Sequence, residues 1–151
     1  MTGQGQRRGS IARSFHYAFA GLTYLFRTQR NARIHLAAGG VACGLGYYLG
    51  IPRVEWAVLV FTIALVLILE GLNTAIEAAI DLASPDLHPL AKAAKDLAAG
   101  MVLIGAVASI AVGGLILGPP LWQKVSRSAR DPASPRTASP VPPAAPGAPG
   151  D

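Results

Sequence analysis

The chain has 151 residues with a formal net charge of +5, and its mean hydropathy is +0.41. Only 14% of the residues are charged and 52% are hydrophobic, which excludes an ordinary water-soluble domain with about 25% charged residues and indicates a single membrane domain. A lone cysteine excludes an internal disulfide framework, and the basic residues flank apolar blocks as they do beside membrane spans, so no nucleic-acid partner is expected.

The first predicted element is an amphipathic helix at about 10–30, preceded by a polar segment, 1–9, that we expect to be disordered. Ser10 can cap the helix, and helical spacing places Ile11, Phe15 and Phe19 on one apolar face. Two interpretations stay open. The favoured one is a helix lying on the bilayer surface, and the other is a helix packed on a soluble core.

Three membrane spans are predicted next, at about 34–50, 54–82 and 90–117, with no β-type alternation anywhere. Gly118 and the two prolines after it are expected to end the third span. Residues 119–151 are rich in Pro and Ala and are predicted to form a disordered tail. Lys and Arg are concentrated before the first span and in the second loop, so the N-terminus is expected in the cytoplasm and the C-terminus outside.

A polar stripe interrupts the second span. Glu70, Asn73, Glu77 and Asp81 recur at helical spacing and share one face, while Lys92, Lys95 and Asp96 share a face at the start of the third span. Carboxylates with an amide can hold a divalent cation, and lysines can neutralise a phosphate, so this set suits phosphoryl transfer. A salt-bridge network between packed helices explains the spacing equally well. No Walker-type or kinase glycine-rich loop occurs.

Three motifs carry a family resemblance. EGLNTAIEAAID at 70–81, HPLAKAAKDLAAG at 88–100 and RNARIH at 30–35 resemble the bacterial integral-membrane diacylglycerol kinase and undecaprenol kinase family, and the similarity extends over about 10–118. The resemblance implies an all-α homotrimer in the bacterial inner membrane, in which each protomer has three transmembrane helices and an N-terminal surface helix. It also implies active sites shared between protomers at the cytoplasmic border.

The implied activity is transfer of the γ-phosphate of ATP to the hydroxyl of a membrane lipid, with Mg²⁺ as cofactor. The amino-acid sequences of the motifs slightly favour undecaprenol over diacylglycerol. Two other functions remain open at this stage. One is a small proton- or cation-coupled transport subunit in which Glu70 is an intramembrane proton site. The other is a family member that has lost catalysis.

The same resemblance implies roles for individual residues. Glu70 would be the general base and, with Asn73, would contact the lipid hydroxyl, while Glu77 would hold the metal. The family usually has a metal-binding glutamate where this chain has Gln29, whose amide oxygen can coordinate a metal but adds no charge. The residues that match family nucleotide contacts are Ser10, Tyr17, Gln29, Glu77, Asp86, Leu87, His88, Lys95 and Asp96.

Overall fold

The computed structural model describes residues 11–84 and 88–130, and within them the protein is entirely helical. Helix α1 spans Ile11–Thr28, α2 spans Arg30–Leu49, α3 spans Arg53–Ala83 and α4 spans Pro89–Arg130. The predicted all-α class is therefore confirmed, and α2 begins at Arg30, about one turn before the predicted start of the first span at 34. Ser10, Asp86, Leu87 and the segments predicted to be disordered at 1–9 and 131–151 lie outside the described residues.

Helices α2 and α3 form an antiparallel hairpin around a glycine turn. Gly50 adopts the left-handed conformation with φ of 68°, and its N–H donates to the carbonyls of Gly46 and Tyr47 at 3.0 and 3.2 Å. A side chain at position 50 would be strained in this conformation. Gly46 lets Ile51 and Trp56 approach the helix closely. The turn therefore fixes how α3 packs against α2.

Helix α4 returns antiparallel to α3 and closes the bundle. A Cβ at Gly105 would lie only 2.6 Å from Leu69, which shows how closely the two helices approach. A buried cluster at the end of the bundle that holds the α2–α3 turn brings all three helices together. It consists of Ile51, Leu59, Ile116 and Leu117, with Leu49 and Trp56 packed against it. This apolar end lies opposite the polar stripe of α3.

Within the described residues, two helices are long and apolar enough to cross a membrane, namely α3 and α4. Fewer than a quarter of the residues in either apolar stretch are buried within the chain, so neither resembles the core helix of a soluble protein. Helix α2 is not among them, because Arg30, Arg33 and His35 in its first turns lower its mean hydropathy.

Helix α1 keeps most of its apolar face uncovered. Phe15 and Phe19 are 62% and 66% exposed, and Leu25 is the buried residue of this helix. A helix packed on a soluble core would cover those rings, so this exposure argues against that alternative. The apolar face of α1 is therefore available for contact with an apolar surface outside the described residues.

The predicted end of the third span is wrong. Pro119 and Pro120 lie inside α4, which continues to Arg130, so residues 119–130 are helical and do not belong to a disordered tail. Each proline removes one helical N–H, and membrane helices tolerate this loss. Beyond the prolines, Lys124 Nζ donates to the Tyr48 carbonyl at 3.2 Å and lies 3.7 Å from the centre of its ring. These contacts anchor the extra turns to α2.

Adjacent glycines of α2 give a matched test of this packing. A Cβ at Gly39 would lie 2.8 Å from Ile63 Cγ2, a stiff β-branched group, whereas nothing lies within 4 Å of a Cβ at Gly40. We expect Gly39→Ala to lower the free energy of unfolding by about 1–3 kcal/mol. Gly40→Ala should leave it unchanged or raise it slightly. Denaturant unfolding of both variants in one detergent measures the difference, and equal stabilities would contradict the packing.

Candidate active site

Glu70 is the most deeply buried polar side chain of the described residues, at 2% exposure on α3. Thr74, also buried, lies one helical turn after Glu70. Its hydroxyl donates a hydrogen bond to the backbone carbonyl of Glu70 at 2.9 Å. Glu70 interacts electrostatically with His35 of α2 and with Glu77 of its own helix. Neither ion pair of the described residues includes Glu70, and a buried carboxylate without a paired charge is costly, which makes Glu70 a candidate site residue.

Asn73 and Glu77 form a polar pair one turn along the same helix. The Asn73 amide nitrogen Nδ2 donates to Glu77 Oε1 at 3.0 Å. The other end of the amide, Oδ1, is buried and finds no hydrogen-bond partner within the described residues. A buried acceptor without a donor costs about 1–3 kcal/mol. That oxygen is therefore free to accept a bond from a ligand or to coordinate a cation.

The charged residues of α4 form two ion pairs at this end of the bundle. Lys95 pairs with Asp81 across the α3–α4 contact, and Lys92 pairs with Asp96 at 2.5 Å within α4. The salt-bridge network allowed by the sequence therefore exists, in the combination of Asp81 with Lys95. The pair of Lys92 with Asp96 is largely exposed, whereas the Lys95 side chain is only 36% exposed beside a more exposed Asp81. Exposed pairs contribute at most about 1 kcal/mol, so the pair within α4 leaves Lys92 available to an anion.

An apolar groove lies between α1 and the C-terminal half of α3. Its volume is about 520 Å³, and its lining includes Tyr17 and Gly21 of α1 with Gly71 and Thr74 of α3. Tyr17, 69% exposed, also packs edge-on against His16 with ring centres 5.9 Å apart. The structure therefore places Tyr17 in one groove with Gly71 and Thr74, the chain neighbours of Glu70 and Asn73, which do not line the groove themselves.

The remaining described candidates lie at the edges of the bundle's polar end. Gln29 is the N-cap of α2, half-buried, and its side chain makes no capping bond. His88 precedes α4, where Nδ1 accepts a bond from the Leu90 N–H at 3.2 Å, so this histidine helps start the helix. Ser10, Asp86 and Leu87 lie outside the described residues.

Known proteins with similar sequences are lipid kinases. A family model described as prokaryotic diacylglycerol kinase matches residues 16–117. A diacylglycerol kinase of Synechocystis is 50% identical over 109 residues, which are 72% of this chain and 62% of that protein. An undecaprenol kinase of Bacillus subtilis is 42% identical over 109 residues, 72% of this chain and 89% of that protein. The chain belongs to the prokaryotic diacylglycerol kinase family.

Membership in this family, together with two apolar helices of spanning length, makes the chain a membrane protein of a lipid-kinase family. A more distant relative, a diacylglycerol kinase of Escherichia coli, is 27% identical over 107 residues, 71% of this chain and 88% of that protein. The match therefore spans less than two thirds of the Synechocystis protein and most of the other two. Every described candidate residue lies within the matched segment.

The donor set at the polar end fits Mg²⁺ as the kinase cofactor. Among the described residues, no cluster of three His, Cys, Asp or Glu side chains forms a ready-made metal cage. Magnesium does not need one, because it is usually held by one or two carboxylates and takes its other ligands from substrate phosphates and water. The half-buried Glu77 carboxylate and the unpartnered Asn73 Oδ1 supply hard oxygen donors of this kind.

Sequence reasoning missed two residues that shape this site. Thr74 was not singled out, although it lies four residues after Glu70, the spacing at which a threonine hydroxyl bonds back to its own helix. The second is His35, half-buried on α2, which the sequence shows only as the last residue of the RNARIH motif. It lines a cavity of about 210 Å³ together with Val66, one turn before Glu70. Its relation to Glu70 depends on helix packing, which spacing alone does not give.

Proposed function

We propose that this protein is an ATP-dependent lipid kinase that transfers the γ-phosphate of ATP to the hydroxyl of a membrane lipid. The observation that carries the proposal is the buried carboxylate of Glu70, in a chain of this family, one turn from an unsatisfied Asn73 oxygen. Because the base is buried, the site around it can exclude water, which would otherwise compete with the lipid hydroxyl for the phosphate.

In the proposed reaction the lipid oxygen attacks the γ-phosphorus, and the bond between that phosphorus and the oxygen bridging to the β-phosphate breaks, releasing ADP. Glu70 takes the proton that leaves the hydroxyl. Asn73, on the same face of α3, helps to orient the lipid hydroxyl or Glu70. The chain's part is therefore to position two substrates and to hold one proton, as is general for phosphoryl transfer.

The nucleotide is proposed to lie across the charged turns of α3 and α4. Lys95 and Asp96 contact the nucleotide, and Tyr17, His88, Ser10, Asp86 and Leu87 are further contacts carried over from the family pattern. Glu77, helped by Gln29, holds Mg²⁺. When bound, the ion supplies neutralisation of the phosphate charges that build up during transfer.

The proposed assembly is a homotrimer in the inner membrane. Helix α2 is proposed to cross the membrane as well and to be the first of three spans, because its 20 residues rise about 30 Å, the thickness of the hydrocarbon core. Helix α1 lies on the cytoplasmic surface with its exposed apolar face in the bilayer. The N-terminus is then cytoplasmic and the C-terminus outside. Intact-mass measurement of detergent-extracted protein tests the trimer directly.

The lipid is proposed to be undecaprenol rather than diacylglycerol. Purified full-length protein should be assayed in mixed micelles with Mg²⁺, labelled ATP and each lipid separately at the same mole fraction. We expect labelled product with both lipids and a higher kcat/KM for undecaprenol. A clear preference for diacylglycerol would reverse the choice of lipid while leaving the kinase proposal intact. Absence of product with either lipid would favour a non-catalytic family member.

Gln29 offers a test of the metal assignment. A carboxylate at this position would add a negative charge to the proposed Mg²⁺ site, whereas the amide of Gln29 adds none. We expect Gln29→Glu to lower the Mg²⁺ concentration that gives half-maximal rate by about threefold to tenfold. Thr23→Glu, which adds the same charge at an exposed position of α1, is the control and should leave the requirement unchanged. An unchanged or higher requirement in Gln29→Glu would remove Gln29 from the metal site.

A further inference from the structure

The last turns of α4 extend past the segment that matches the family. The match ends at residue 117, whereas the helix continues to Arg130. One face of this extension carries five side chains that all offer hydrogen-bond donors and line a groove of about 250 Å³. These residues, here called the donor stripe, are Trp122, Gln123, Ser126, Arg127 and Arg130.

Within the described residues, no acidic side chain pairs with the donor stripe. From Leu97 to Arg130 the sequence contains no Asp or Glu, and the next acidic residue, Asp131, lies outside the described residues. The ion pairs that the structure describes involve Lys92 and Lys95, at the other end of the helix. Lys124 is engaged separately with Tyr48, so the extension is held in place without using the stripe. Five donors with two positive charges and no described acceptor match an anion.

The position of the donor stripe matches the headgroup layer of a bilayer. Ile116 and Leu117 are buried beside the α2–α3 turn, which marks the border of the apolar end. Trp122, 74% exposed, has the amphipathic ring that is typical of this border. At 1.5 Å per residue, Arg127 lies about 8 Å beyond Trp122 along the helix axis and Arg130 about 12 Å. The headgroup region on each side of a bilayer is about 5–8 Å thick. The backbone of Arg127 therefore lies at the outer edge of this layer and that of Arg130 beyond it, and a long arginine side chain can extend back towards the headgroups.

We propose that the donor stripe binds the phosphate of an anionic phospholipid headgroup. The guanidinium of Arg127 makes the central contact, Arg130 closes the outer side, and the ring of Trp122 rests at the level of the lipid glycerol. This site lies at the opposite end of the bundle from Glu70, so it does not depend on the kinase activity or on which leaflet it faces. Its occupant is a structural lipid of the surrounding membrane.

The test compares lipid binding by full-length protein in nanodiscs that contain phosphatidylcholine and phosphatidylglycerol. Native mass spectrometry of the released protein gives the ratio of the two binding constants. Arg127→Gln removes one charge from the stripe, and Arg127→Gln/Arg130→Gln removes both. Arg53→Gln is the matched control, because Arg53 is an exposed arginine at the same end of the bundle but outside the stripe.

An arginine that only lies near an anionic surface strengthens binding by about fivefold. A charge-assisted hydrogen bond from an arginine to a bound phosphate strengthens it by about tenfold or more. We therefore expect the preference for phosphatidylglycerol to fall by at least about tenfold in Arg127→Gln and about a hundredfold in the double variant, and by about fivefold at most in Arg53→Gln. Equal preference in all four proteins would overturn the proposal. An equal loss in Arg53→Gln and Arg127→Gln would also overturn it, because the effect would then be one of net charge alone.

Discussion

Replacing Glu70 by Gln is expected to lower kcat for lipid phosphorylation by at least about a hundredfold, because positioned general bases contribute that much or more. The substitution keeps the size and shape of a side chain that is 2% exposed, so the helix packing should survive. KM for ATP should change little, since Glu70 acts on the lipid hydroxyl. Steady-state kinetics with saturating lipid separate the two quantities.

Glu55→Gln is the matched control for this experiment. It makes the same change in the same helix, in the first turn of α3 at the opposite end of the bundle. Its activity should equal that of the unmodified protein. If Glu70→Gln retained normal kcat, or if both variants lost activity equally, Glu70 would not be the base. Circular dichroism and thermal unfolding of each variant distinguish loss of chemistry from loss of fold.

Glu77→Gln is expected to have the second largest effect. The amide oxygen of the new glutamine can still accept the hydrogen bond from Asn73 Nδ2. The substitution removes the negative charge that would hold Mg²⁺. We expect the half-saturating Mg²⁺ concentration to rise by about tenfold or more, with kcat partly restored at high Mg²⁺. Titration of the rate with Mg²⁺ at fixed ATP measures this shift.

Asp81→Asn provides the comparison for Glu77→Gln. It removes a carboxylate one turn further along α3, one that pairs with Lys95. This variant should alter KM for ATP by freeing the lysine, while its Mg²⁺ requirement stays unchanged. An equal rise in the Mg²⁺ requirement in both variants would mean that total charge, and not coordination by Glu77, sets metal affinity.

The helices of the fold were largely predictable from sequence, because long apolar runs and clear turn residues mark their limits. The gap between the spans predicted at about 34–50 and 54–82 falls at the α2–α3 turn, where Gly50 is left-handed. The end of α4 was not predictable in this way. Pro119 and Pro120 are helix breakers in water, but a helix already held by packing continues through them, and the contact of Lys124 with Tyr48 joins residues far apart in sequence.

The candidate site was predictable where it lies on one helix and not where it depends on packing. Helical spacing alone put Glu70, Asn73 and Glu77 on one face. The same spacing left open whether Lys95 pairs with Asp81, since that contact requires α3 and α4 to pack in a particular register. The sequence likewise could not predict that the Asn73 oxygen lacks a partner, because its burial depends on the surrounding helices.

The central claim is that the γ-phosphate of ATP reaches a lipid hydroxyl through Glu70. The most direct measurement uses full-length protein in mixed micelles with lipid and Mg²⁺, supplied in parallel with ATP labelled at the γ- or the α-phosphate. The account predicts labelled lipid from γ-labelled ATP, none from α-labelled ATP, and none above background with Glu70→Gln. Folded protein that leaves the lipid unlabelled in every arm would contradict it.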